Sequence, residues 1–190
     1  LLGIAKSQNA DVEIRVHPTL VPKNRLVANV DGAMNAVLVH GNMVGPTLYY
    51  GAGAGAEPTA SAVVADVIDI ARQTKLSQNT LIPSLGFMPD KINEKNILSI
   101  ENIISEYYLR FTMKNQAGLL AKITNIFADH DISINSMVHK EVQENNQNPD
   151  IFLITSKTKE ADIDTIISEI ELLPENTEKV VKIRTEELNK

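Results

Sequence analysis

Apolar and polar positions in the last third of the chain follow two rhythms that change at sharp boundaries. Tyr107-Tyr108-Leu109-Arg110-Phe111-Thr112-Met113-Lys114 is rich in aromatic and branched side chains and predicts a strand. From Leu119 the period lengthens. Leu119, Leu120, Ile123, Ile126 and Phe127 recur at helical spacing, predicting an amphipathic helix to about His130. Asp131 then opens Ile132-Ser133-Ile134-Asn135-Ser136-Met137-Val138-His139, which alternates as a half-buried strand does. The polar stretch Glu141 to Asp150, with Asn145, Asn146, Asn148 and Pro149, predicts a hairpin loop. Ile151 to Ser156 is the next strand. Glu160 to Leu172 is a second helix with Ile163, Ile166, Ile167 and Ile170 on one face, ended by Pro174 and Asn176. Lys179 to Arg184 is a last strand. The order β-α-β-β-α-β over about eighty residues is the ferredoxin-like split unit. It places two helices on one sheet face and leaves the other to meet a second copy.

The change of rhythm falls at Asn115-Gln116-Ala117-Gly118-Leu119-Leu120. A strand is delivered there through a tight turn into a helix N-terminus. Gly118 suits such a turn, because it tolerates backbone angles closed to other residues. The first amides of the helix have no partner inside it and point at whatever occupies the turn, which fits a small carboxylate. The simpler reading is a turn that only joins strand to helix.

With Asn115, Gly118 and Leu119 in the turn and Ile132-Ser133-Ile134 opening the second strand, residues 107–186 resemble an ACT domain, the amino-acid-sensing module attached to many enzymes of amino-acid metabolism. The resemblance implies an effector held between the first turn of one copy and the second strand of a neighbour. On that basis Asn115, Gln116, Ala117, Gly118 and Leu119 bind the effector, with Ile132 and Ile134 lining the pocket. It also implies association of the ACT domains into a homo-oligomer, expected to be a dimer.

The first part of the chain reads as β-structure followed by one helix. Leu2 to Ala5 is a short apolar strand, and Asp11-Val12-Glu13-Ile14-Arg15-Val16-His17 alternates with period two, as a strand with one wet face does. His17 to Pro22 is extended, with prolines limiting its pairing. Ala33 to His40 and Met43 to Tyr50 predict an antiparallel hairpin joined by a two-residue turn, Gly41-Asn42. Glycines then alternate with alanines in Gly51-Ala52-Gly53-Ala54-Gly55-Ala56, and Pro58 sits well in the first turn of a helix ending near Gln73. A Gly-rich turn entering a helix lets a phosphate or planar ring approach the backbone. The spacing is not the Gly-x-Gly-x-x-Gly dinucleotide fingerprint, and by itself it favours a tight strand-to-helix crossover over a ligand turn.

Taken together, Leu1-Leu2-Gly3-Ile4-Ala5, Val16-His17-Pro18-Thr19-Leu20-Val21-Pro22, Ala28 to Val37, Gly45 to Gly55 and Pro58 to Asp66 resemble the final portion of the catalytic unit of homoserine dehydrogenase. That family interconverts L-homoserine and L-aspartate 4-semialdehyde with NAD(P), on the route to threonine and methionine. The resemblance implies an α+β chain in three parts: 1–73 closing the catalytic domain, 74–106 as linker, and 107–186 as ACT domain. It places the catalytic lysine and the homoserine-binding carboxylates before Leu1, so no catalytic residue is expected here and the chain alone is expected to be inactive. Gly55 is the expected cofactor contact, with Gly53 and Ala54 behind it, although no tight NAD(P) binding is expected of this part. Threonine is the expected effector. Leu1 to Lys6 itself reads like the inside of an apolar strand, as in a chain that begins within a domain.

Composition narrows the alternatives. The 190 residues are 43% hydrophobic and 22% charged, the balance of a globular protein. The formal net charge is −6, without a Lys/Arg cluster able to track a phosphate backbone, so nucleic acid is not an expected partner. No run is long enough to span a bilayer as a helix. Cysteine is absent, which fits a reducing cytosol and removes thiolate chemistry. His17 and His40 lack a second ligand at metal-binding spacing and read as structural, so no metal is expected. His130 reads as a helix C-terminal charge, and Asp66 and Asp69 as a solvated helix face. The competing functional class is a non-catalytic amino-acid-binding and dimerisation module whose first part is only a scaffold.

Overall fold

The computed structural model describes residues 1–8, 11–75, 83, 85–140 and 148–188. Most of the polar loop expected at 141–150, and the polar linker stretch beyond Lys75, lie outside the described residues. By contact the chain divides into two units, Leu1–Val21 with Lys95–Glu187 and Pro22–Glu94 with Leu188–Lys190.

The first unit is built on a mixed sheet. Its strands are β6 (Ile104–Thr112), β7 (Ile134–His139), β8 (Asp150–Thr155) and β10 (Val181–Thr185), with helices α2 (Leu119–Asp129) and α3 (Glu160–Glu171). The spatial order β10-β6-β8-β7 is that of the split βαββαβ unit, all pairs antiparallel. Alternation puts Tyr107, Leu109 and Phe111 of β6 and Ile151 and Leu153 of β8 on one face. There they meet Leu119, Ile123 and Phe127 of α2 and Ile163, Ile166 and Ile170 of α3 in one buried cluster. The opposite face carries half-buried Tyr108, Arg110, Phe152 and Ile154, with the Tyr108 and Phe152 rings 6.2 Å apart. The expected α+β layering is therefore present.

Two features extend it. A short strand β9 (Thr158–Lys159) pairs with the start of β6. At the far edge β3 (Thr19–Leu20) adds to β10 in parallel, Thr19 opposite Arg184 and Leu20 opposite Thr185. Preceding β3 is the hairpin of β1 (Leu2–Gln8) and β2 (Asp11–His17), registered Leu2 to His17. Here the simplest expectation from alternation fails. Glu13, Arg15 and His17, the polar set of β2, are buried, while Ile14 and Val16 are 53% and 70% exposed. The period of two is correct, but the polar set does not face water, because it is paired within the unit. The linker is also less free than its composition implies: Val12 donates to the Asn96 carbonyl at 2.8 Å and Leu98 donates back to Val12 at 3.0 Å.

The second unit holds hairpin β4 (Met34–Gly41) and β5 (Gly45–Ala52), followed by α1 (Ala56–Gln73). Gly41 pairs with Gly45, so the connection is Asn42-Met43-Val44 rather than the two-residue turn expected at Gly41-Asn42. Gly45 has φ +73, the left-handed residue that a three-residue hairpin loop requires. No residue of α1 is buried, and Val63, Val64, Val67 and Ile70 are all more than half exposed.

Candidate functional site

The first site grows from the end of β6. The chain leaves Thr112, forms a bridge from Met113 to Asn176, and turns through 115–118 into α2. Gly118 adopts φ +84 at the helix N-cap and gives α2 no side-chain cap. A Cβ built there would meet nothing within 4 Å. Glycine is needed for its backbone angle, not for space. The Leu119 amide donates to the Gln116 carbonyl at 3.2 Å, and that of Lys122 reaches Gly118 at 3.1 Å. Leu120 and Ala121 lie between them, in the first turn, where amides have no partner inside the helix.

A recess of about 180 Å³ opens over these amides, lined by Asn115, Gln116, Gly118, Leu119, Leu120, Ala121 and His139. It thus gathers four of the seven residues expected to bind an effector. Ala117 is not in its wall. Ile132 is buried in the core and Ile134 packs against that core, so neither lines the recess within one chain. His139 was not singled out as a site residue; its position at the end of an alternating strand gave no signal that β7 returns beside the turn. Behind the turn, Lys122 donates to Glu175 at 2.5 Å, and this bond holds the Glu175 carboxyl below the ordinary range. The backbone carbonyl of Glu175 in turn receives the Lys114 amide at 2.9 Å, which fastens the turn from below.

The second candidate is the Gly-rich turn between β5 and α1. Gly53 donates its amide to the Ala33 carbonyl at 3.0 Å. A Cβ on Gly53 would lie 1.3 Å from Asn35 Nδ2, so the space its missing side chain frees is taken by the chain itself. Gly55 differs. It caps α1 with φ +127 and no side-chain cap, and its would-be Cβ meets only the Pro58 ring, Cδ at 3.2 Å and Cγ at 3.5 Å. A helix of 18 residues entered through such a glycine leaves first-turn amides for an anionic group. Gly55 therefore fits a main-chain approach by a dinucleotide, whereas Gly53 serves packing, and Ala54 lies between them.

The remaining polar residues have local roles. Asp69 accepts a hydrogen bond from Gln73 at 2.7 Å on the exposed face of α1. His130 does not merely end α2, since its Nε2 lies 2.8 Å from Glu169 of α3. His40 lines a recess of about 560 Å³ in the second unit with Arg25, Leu38 and Leu48. His17 Nδ1 lies 2.9 Å from the Pro18 carbonyl. Among the described residues no three His, Cys, Asp or Glu side chains are grouped to hold a metal ion, and no helix is long and apolar enough to cross a membrane.

A split βαββαβ sheet whose first strand turns through a left-handed glycine into a helix N-terminus, with a recess over that turn, fits a domain of the ACT class, a small-molecule-binding and oligomerisation module. Residues 107–175 match the ACT domain family and residues 1–68 match the family described as homoserine dehydrogenase. Homoserine dehydrogenase of Pseudomonas aeruginosa is 45% identical over 99% of this chain and 43% of that protein. That of Neisseria gonorrhoeae is 44% identical over 100% and 43%. A crystal structure of a homoserine dehydrogenase from Thiobacillus denitrificans superposes with a TM-score of 0.88 at 49% identity, covering 98% of this chain and 42% of that one. The chain belongs to the homoserine dehydrogenase family, an oxidoreductase family, and carries the end of its catalytic part together with its ACT domain. It spans about two-fifths of the length of the relatives it matches.

Proposed function

We propose that this chain is the regulatory end of a homoserine dehydrogenase that interconverts L-homoserine and L-aspartate 4-semialdehyde, and that its ACT domain binds threonine as feedback effector. The observation carrying the reading is the unbroken match across both parts to proteins of that one activity. Bound as NAD(P)H, the nicotinamide cofactor would supply the hydride that reduces the semialdehyde, and as NAD(P)+ it would accept the hydride in the reverse direction. Gly55 contributes a main-chain contact to it, and the groups that move protons belong to the preceding part of the longer protein. The exposed apolar residues of α1 and of β4–β5, such as Val67, Ile70 and Val37, are then one wall of a larger catalytic core.

The effector carboxylate sits on the amides of the first turn of α2, and Asn115 takes its ammonium or side chain. Two copies associate through the sheet. The β10 edge is already covered by β3, whereas β7, which carries Ile134, ends the strand order on the other side. A neighbour's β7 placed there brings Ile134 toward the recess, as the resemblance requires. The test is calorimetric titration of threonine into the full-length protein alongside its dehydrogenase activity. Binding together with threonine-dependent loss of rate is expected. Activity without any threonine binding would overturn the effector assignment, and absence of activity with homoserine and either nicotinamide cofactor would overturn the whole reading. The 190-residue chain alone is expected to give no turnover.

A further inference from the structure

Two of the polar residues buried on β2, Glu13 and Arg15, are paired with each other, and Arg15 reaches Glu186, the residue after β10. Arg15, with a side chain only 2% exposed, pairs through Nε with Glu13 at 2.7 Å and donates from Nη2 to Glu186 Oε2 at 2.9 Å. Lys6, across the hairpin, donates to the same oxygen at 2.7 Å. Glu186 follows directly on β10, and its amide donates to the Leu20 carbonyl at 2.9 Å, continuing the β3–β10 pairing. Two residues earlier, Arg184 makes a bidentate bond to Glu160 at the start of α3, at 2.7 and 2.5 Å. The Glu160–Arg184 pair and the Arg15–Glu186 pair are thus two separate polar contacts, carried two residues apart at the end of β10. Val12 of the same strand also receives the end of the linker, at Asn96 and Leu98.

We propose that the Lys6–Glu186–Arg15 clasp, with the β3–β10 pairing, is the route by which the state of the ACT domain acts on the chain beyond Pro22. The proposal rests on the regulatory reading above and specifies its path. Residues 11–20, which form β2 and β3, are then the transmitting segment. Such a path is physically warranted because a charge held at 2% exposure cannot move independently of its partner without being left unpaired. Glu186 is a positioning residue, remote from the effector turn.

The experiment uses the full-length protein and its Glu186→Gln variant, in two parts. Hydrogen exchange without ligand is expected to show protection lost together in residues 12–20 and 181–185, with α2 unchanged. A change confined to one of the two segments, or none, overturns the clasp. Lys6→Gln, at the 42% exposed partner, should give the same pattern more weakly and guards against a folding failure of the first variant. In the second part threonine is titrated by calorimetry and against initial rate. Glu186→Gln is expected to keep its threonine affinity within about twofold while the effect on rate falls at least about fivefold, the lower range of allosteric coupling. Full inhibition in the variant overturns the route. Failure of threonine to bind the unaltered protein is a failure of the effector reading alone, and the exchange measurement still decides the clasp.

Discussion

Tyr107 and Glu160 meet inside the ACT core, the phenolic hydroxyl donating to the carboxylate at 2.8 Å. Glu160 is 3% exposed and Tyr107 fully buried. Burial by itself raises the carboxyl pKa, but hydrogen bonds from Arg184, Lys182 and Tyr107 outweigh it and hold Glu160 below its ordinary range. Burial first, and then the bond to Glu160, push the Tyr107 hydroxyl well above its own. Lys182 also reaches Asp164 of α3, so the first turns of that helix are pinned to β10 through side chains.

Removing the two partners should therefore cost different amounts. Tyr107→Phe loses one hydrogen bond and is expected to destabilise the domain by about 0.5–1.5 kcal/mol. Glu160→Gln leaves Arg184 without its counter-charge and Lys182 with Asp164 alone, and is expected to cost about 3–5 kcal/mol. Urea denaturation of both variants checks the ranking; equal losses would show that the ion pairs contribute nothing beyond the phenol. Because the folded carboxyl pKa is depressed, the Glu160 contribution is fully present above the unfolded carboxylate pKa. It is lost as pH falls through the folded value.

His17 acts in the same direction, from a higher starting pH. Burial first, then the charges of Arg184 and Arg15, lower its pKa, with the Pro18 carbonyl and Glu160 acting against them. The unfolded imidazole takes up its proton at about pH 6.5 while the folded one resists. Stability is therefore expected to fall as pH drops below that point and to level off beneath the folded pKa. In His17→Gln this slope should vanish. Melting temperatures measured between about pH 7.5 and pH 5 test the point; an unaltered slope in the variant would assign the pH dependence to another group.

At Gly118 the strain is in the backbone. Gly118→Ala meets no atom but must hold φ +84, so a loss of about 1 kcal/mol is expected. Gly118→Val, branched at Cβ, should lose more and weaken threonine binding by displacing the first amides of α2. Calorimetry on both variants reads this. If both keep full affinity, the turn does not hold the effector.

At Gly53 the reverse applies. Gly53→Ala would drive its Cβ to 1.3 Å from Asn35 Nδ2 and 3.2 Å from Asn35 Cβ, so Asn35 must swing away. In an Asn35→Ala background most of that cost should disappear. A double-mutant cycle on stability is expected to show coupling of about 0.5–3 kcal/mol. Additive losses would mean that Asn35 is not what requires glycine there.

The ACT portion was legible because its signals are local. Leu119, Ile123 and Phe127 repeat at helical spacing, and Tyr107, Leu109 and Phe111 alternate, so each element announces its buried face whatever lies opposite. Gly118 likewise declares its turn through a conformation only glycine adopts readily. The recess was half legible: residues adjacent in sequence were found, but His139 reaches it only because β7 folds back beside the turn.

By itself, then, the order of residues determined the strand and helix pattern, the left-handed turn and the family. Tertiary structure alone decided that β3 closes the ACT sheet and that Glu13, Arg15 and His17 face inward while Ile14 and Val16 face out. The reason is physical. Alternation reports that two faces of a strand differ, but which face is buried depends on partners far away in the chain, here Glu186, more than 160 residues on (|i−j| = 171 from Arg15).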